Sequence, residues 1–222
     1  MIYVDNLQAV REQVKACGRD VVLIAATKTQ TKETIDEFAR LAPDFILGEN
    51  RVQELVDKYD ARYRWHFIGR LQTNKVKYIV GKVELIHSLD RYDLALEIEK
   101  QAKKHGICQD CLVEVNMAGE ESKGGIEPDK LFEFVDSLKD FEHIRILGLM
   151  SVLPNLEDKA ELENEYEKLY NLYDLLKTKE QPNLDVQYLS AGMTNDYEIA
   201  LRHGSNMIRL GRKLFGERTA TK

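Results

Sequence analysis

Lys28 stands two residues past the uninterrupted apolar run Val21-Val22-Leu23-Ile24-Ala25-Ala26. A lysine buried at such a point has a lowered pKa, and its neutral amine attacks an aldehyde to form a Schiff base. A lysine snorkelling to a rim would read the same in this segment alone. Other groups fit for chemistry recur after similar runs. They include Gly48-Glu49-Asn50, Trp65-His66-Phe67-Ile68-Gly69-Arg70, His87-Ser88 and Asn116. Further along come Ser122-Lys123-Gly124-Gly125, Met150-Ser151, Ser190-Ala191-Gly192-Met193-Thr194 and Arg209-Leu210-Gly211-Arg212. Ser190 and Thr194 offer hydroxyls, and Gly192 and Gly211 let backbone approach an oxyanion closely. Arg209 adds a cation that keeps its charge at neutral pH. Amine chemistry beside phosphate binding is what these residue types suggest.

Such groups act together only if the chain brings them together. The pattern predicts strands over Val21–Ala26, Asp44–Leu47, Trp65–Ile68, Glu84–His87, Cys111–Val115, Ile144–Leu149, Asp185–Leu189 and Asn206–Leu210. Amphipathic helices lie between them, clearest where Leu162, Tyr166, Leu169, Tyr173 and Leu176 recur at spacings of three and four. An extra helix, with Leu7, Val10 and Val14 on one side, precedes the first strand. Strand–helix alternation implies a parallel sheet. Its repetition between residues 21 and 210 suits a closed (β/α)8 TIM barrel better than an open doubly wound sheet. No G-x-G-x-x-G follows the first strand, which weakens a dinucleotide-binding alternative. The expected fold is therefore α/β, a single TIM-barrel domain over residues 1–222 with an added N-terminal helix. A barrel gathers its function at the C-terminal strand ends, and its last two loops commonly hold phosphate.

Composition narrows the field. The chain has 222 residues, 43% hydrophobic and 32% charged, with a formal net charge of −6 that leaves no electrostatic footprint for nucleic acid. No apolar run approaches the roughly 18 residues of a membrane span. Met1-Ile2-Tyr3-Val4-Asp5 lacks the basic-then-apolar order of a signal peptide, so a cytoplasmic protein is expected. Three cysteines do not make a disulfide framework, and Cys108-Gln109-Asp110-Cys111 has no second pair with which to hold a metal. Nor do His66, His87, His105, His143 and His203 fall at paired ligand spacing. An amine facing a phosphate cup then suits two ligands. One is a sugar phosphate held by a Schiff-base aldolase. The other is pyridoxal phosphate, which also needs a partner for its pyridine nitrogen. Arg209 in that role would keep its own proton and leave the ring a poor electron sink.

At these residues the chain resembles the pyridoxal phosphate homeostasis protein family. The likeness runs through Ala26-Thr27-Lys28-Thr29, Gly48-Glu49-Asn50-Arg51-Val52-Gln53-Glu54 and Trp65-His66-Phe67-Ile68-Gly69-Arg70-Leu71-Gln72-Thr73-Asn74-Lys75. It continues through Val115-Asn116, Ser122-Lys123-Gly124-Gly125-Ile126, Gly148-Leu149-Met150, Leu189-Ser190-Ala191-Gly192-Met193, Ile208-Arg209-Leu210-Gly211 and Phe215-Gly216. The resemblance implies a barrel like the N-terminal domain of alanine racemase, with pyridoxal phosphate joined to Lys28. It implies Arg209 at the pyridine nitrogen, Asn50 and His66 lining the ring pocket, and Ser190, Gly211 and backbone near Arg212 around the phosphate, beside the Gly192 that the residues themselves suggest. Arg212 departs from the small hydroxyl residue that many relatives carry, which puts a side-chain contact there in question. Lys123 either passes cofactor on or orders its loop.

The family binds and buffers its cofactor without established turnover. Racemisation needs an acid–base group on each face of the cofactor. Lys28 serves one face; in the racemase the other is a tyrosine from a second, β-rich domain of the partner subunit. Most of the ten tyrosines here fall on helix-like segments that suit core or surface roles. A non-catalytic carrier is expected, meeting apo-enzymes transiently and existing as a monomer or weak dimer. A weak racemase is the first alternative and the aldolase the second.

Overall fold

The computed structural model describes residues 2, 4–119, 124–154 and 156–216. Among these residues, eight parallel strands pair in sequence order, and the last closes on the first. They are β1 (Val22–Ala26), β2 (Ile46–Glu49), β3 (Trp65–Phe67), β4 (Leu85–Leu89), β5 (Gln109–Glu114), β6 (Ile144–Met150), β7 (Leu184–Ser190) and β8 (Met207–Leu210). The connections carry α2 (Lys32–Leu41), α3 (Val52–Lys58), α4 (Tyr92–His105), α5 (Leu131–Ser137), α6 (Lys159–Lys177) and α7 (Tyr197–Arg202). A 3₁₀ segment, Thr73–Tyr78, stands in for a helix after β3. At the chain's two ends, α1 (Val4–Ala16) packs against α8 (Arg212–Phe215), and Asn6 Nδ2 donates to Lys213 O at 2.8 Å.

Strands covered on both faces need no polar alternation, which is why the runs read as continuously apolar. Successive side chains split between two cores. Ile24, Ile46, Ile68, Leu85, Leu112, Leu147, Met150 and Met207 fill the barrel interior. Leu23, Ala25, Leu47, Trp65 and Phe67 face outward and meet helical residues such as Phe38, Leu55 and Tyr166. The expected stripe of α6, Leu162 to Leu176, is buried in full.

All the expected strands form, with shifted ends. β2 starts at Ile46 rather than Asp44 and runs on through Glu49, and β5 starts at Gln109 rather than Cys111. Cys108 is exposed and Cys111 buried, and burial, with the neighbouring Asp110 carboxylate, pushes both thiols up. Neither is poised as a thiolate. Gly148 of β6 has φ +137°, and a Cβ there would lie 1.9 Å from Tyr188 O, so β6 and β7 meet at a distance only glycine permits. Among the described residues, no helix is long and apolar enough to cross a membrane.

Candidate functional site

A cavity of about 650 Å³ opens at the C-terminal strand ends. That size and place suit a small-molecule ligand. Lys28, Asn50, Thr194, Arg209, Gly211 and Arg212 all line it. Six groups from four strand ends thus converge as the barrel geometry requires. Lys28 is half-buried on the wall, between the buried and the rim positions that the sequence left open, because β1 ends at Ala26 and a turn follows it.

That turn is unusual. Gln30 N donates to Thr27 O at 2.9 Å, closing Thr27-Lys28-Thr29-Gln30, and Thr29 has φ +67°. A positive φ at the third position belongs to a type II turn, where glycine is preferred. For a β-branched residue it costs on the order of 1–3 kcal/mol. The turn rests on a buried ion cluster. Glu49 is fully buried, and Lys58 Nζ donates to Glu49 Oε1 at 2.8 Å, to Glu54 Oε2 at 2.7 Å and to Thr27 O at 3.0 Å. Asn50 N donates to the other Glu49 oxygen at 3.1 Å. The Asn50 side-chain oxygen is buried without a hydrogen-bond partner. Buried polar atoms are nearly always paired, so an orphan on a cavity wall marks a place for a ligand.

Arg209 enters from β8 and is 4% exposed. Its NH1 donates to Ser190 O at 2.8 Å and Ser190 Oγ at 2.7 Å, and its NH2 donates to Ser151 O at 2.9 Å. An arginine only donates, so Ser190 Oγ accepts from it, and the same oxygen pairs with His87 Nδ1 at 3.1 Å. His87 Nε2 in turn pairs with His66 Nδ1 at 3.0 Å, one of the two rings supplying the proton. His66 Nε2 lies 3.9 Å from Glu84 Oε2, at the opposite end of the barrel. A polar thread thus crosses the apolar interior. Burial holds both imidazoles neutral, pushing His66 down to about 3 and His87 well below the usual range.

The structure brings some of the expected groups to the cavity and leaves others outside its lining. His66 is on the interior face but below the cavity floor; Ile68, two residues on, takes the wall position. Ser190 is fully buried and engaged by Arg209 and His87, so it braces the arginine from outside the cavity lining. Gly192 lies outside the lining as well. With φ +96°, and only 2.6 Å between a Cβ there and Ala200 Cβ, it lets the loop after β7 lie against α7. Gly211 does reach the cavity, and a Cβ there would make only ordinary contacts at 3.5 Å with Ala26, so no packing within the protein demands a glycine. Arg212 is exposed at the cavity edge. Lys123 lies outside the described residues.

Sequence reasoning missed the cluster of Glu49, Glu54 and Lys58, although a glutamate and a lysine four apart on a short helix after a buried glutamate were a readable signal. It also missed Asp196, which lines the cavity and accepts from Tyr166 OH at 2.6 Å and Met193 N at 2.7 Å. Burial and Asp196 push the Tyr166 hydroxyl far above its usual range. Glu114, at the end of β5, is pushed up to about 7 by burial and by Asp90, against the pull of Arg209.

The model for the alanine racemase N-terminal domain matches residues 3–219 of the chain. The pyridoxal phosphate homeostasis protein of Aquifex aeolicus is 45% identical over 225 residues, covering 96% of this chain and 97% of that protein. PipY of Synechococcus elongatus, solved with PLP bound, superposes with a TM-score of 0.82 at 29% identity, covering 96% of this chain and 99% of that one. Alanine racemase of Clostridium difficile superposes with a TM-score of 0.74 at 14% identity, covering 99% of this chain and 62% of that one, a likeness of fold. With its barrel, its cavity and a full-length relative at this identity, the chain belongs to the pyridoxal phosphate homeostasis protein family, built on the alanine racemase N-terminal-domain fold.

Proposed function

We propose that this protein holds pyridoxal phosphate reversibly in the barrel mouth, buffering and delivering the cofactor without turning over substrate. The observation that carries the reading is the convergence of Lys28, the unpartnered Asn50 amide oxygen, Arg209 and Gly211 on one cavity of suitable size. The donor set fits the cofactor. It supplies an amine for the aldehyde, a fixed cation for the pyridine nitrogen, an amide for the ring, and glycine backbone with the Thr194 hydroxyl for the phosphate. Bound there, the cofactor supplies a reactive aldehyde that an amine captures reversibly. Lys28 binds it, Arg209 orients the ring and keeps its own proton, and Ser190 and His87 hold Arg209 in place.

The carrier reading, over enzyme, draws on the name of the full-length relative and on the groups available. Two-sided proton transfer needs a second acid–base group. Tyr166, the tyrosine that pairs with a cavity-wall residue, is bound to Asp196 and keeps its proton. We place the protein in the cytoplasm, as one domain over residues 1–222 and a monomer or weak dimer, with apo-enzymes as transient partners. The test is the absorption spectrum of the purified protein with pyridoxal phosphate, before and after borohydride, with peptide mapping. A near-visible band fixed by borohydride onto Lys28 is expected. A colourless protein with Lys28 unmodified overturns the reading. Exchange of amino-acid α-hydrogens for deuterium by the loaded protein would overturn the carrier assignment alone.

A further inference from the structure

We propose that Glu54 and Lys58 are positioning residues for Lys28, holding the strained turn that presents its amine to the cavity. The inference rests on the reading of Lys28 as the cofactor's anchor and deepens it. Both peptide groups flanking Lys28 are gripped from the following βα unit. Lys58 Nζ takes Thr27 O at 3.0 Å, and Glu54 Oε2 takes Thr29 N at 2.8 Å. The two grips are one object, since Lys58 Nζ also donates to Glu54 Oε2 at 2.7 Å. Glu49 anchors that object in the wall: it is fully buried, it accepts from Lys58 and from the Thr27 hydroxyl at 2.9 Å, and it holds Asn50 N. The same charges therefore set two groups of the cavity.

Among the described residues, Thr29 is the one non-glycine with a positive φ. Such a conformation persists only where the surroundings over-determine it. Left alone, the turn would relax and carry Lys28 with it. A buried ion cluster adds little net stability over apolar side chains of similar volume. Direction is what this one supplies, because a lysine ammonium satisfies three separate acceptors that a planar guanidinium would not match.

The test compares the full chain with Glu54→Ala, Lys58→Met, each of these combined with Thr29→Gly, and Lys28→Ala. Each is titrated with pyridoxal phosphate, and borohydride adducts are mapped. The acylation rate of Lys28 in cofactor-free protein gives a readout independent of the cofactor. Glu54→Ala is expected to keep its far-UV circular dichroism and to bind about tenfold more weakly, with an altered Lys28 acylation rate. Lys58→Met follows the same direction, and Thr29→Gly, which tolerates the positive φ, recovers part of the affinity in both. Wild-type affinity and acylation in Glu54→Ala and Lys58→Met would overturn the proposal. So would affinity lost only in step with helix content and not recovered by Thr29→Gly. A borohydride-stable adduct that survives Lys28→Ala would overturn the anchor reading beneath it, whatever happens at 54 and 58.

Discussion

His66 and His87, held as neutral rings, tie the protein's stability to pH. Both have folded pKa values below the ordinary 6.5, so the unfolded chain binds more protons once pH falls below 6.5. Stability therefore drops as pH falls below 6.5, by up to about 1.4 kcal/mol per unit for each ring. Urea titrations of the wild type and of His87→Gln should show the variant losing less stability between pH 6.5 and 5, on top of a lower starting value. Glu114 acts with the opposite sign. Its folded value near 7 exceeds its ordinary 4.5, so its ionisation costs stability as pH rises through that window. Glu114→Gln should stabilise the fold by up to about 3 kcal/mol at pH 8 and leave it unchanged at pH 4. At this scale the sequence singled out Lys28, Asn50 and Arg209, which the structure brings to one cavity. The sequence did not show that His66 lies below the cavity wall, because alternation along a strand fixes which face a side chain takes, not its height. Height depends on the stagger between neighbouring strands, such as His66 against Leu85, and no single segment displays that.

Strands and turns were legible where burial made them apolar and hidden where contacts made them. The run at 21–26 announced β1, and the spacing of Leu162 to Leu176 announced α6. Nothing local announced that Gly69 must be glycine. A Cβ there would sit 2.1 Å from Asn50 O, so the turn after β3 rests on the backbone of a cavity residue. Gly69→Ala should cost about 3 kcal/mol in chemical denaturation and, by displacing Asn50, weaken cofactor binding. A cap gives a smaller effect. Thr31 accepts from Thr34 N at 3.3 Å at the start of α2, and Thr31→Ala should cost about 1 kcal/mol with cofactor affinity unchanged.

Taken whole, the barrel has no free edge: β8 pairs with β1 from Val22↔Met207 to Ala25↔Leu210, and α1 buries Leu7 and Val10. Interactions that run around a closed circuit should break together. Calorimetry of the cofactor-free protein is expected to give one transition with equal calorimetric and van't Hoff enthalpies, whereas two transitions would argue against a single domain over residues 1–222. Closure was readable from the number of strand repeats; the polar thread through the interior was not, because its members are scattered along the chain. That thread also encloses a timekeeper. The proton between His87 Nε2 and His66 Nδ1 is shared by two buried imidazoles. Solvent deuterium reaches it only when the barrel opens, so the lifetime of that one NMR resonance measures how often the whole molecule breathes.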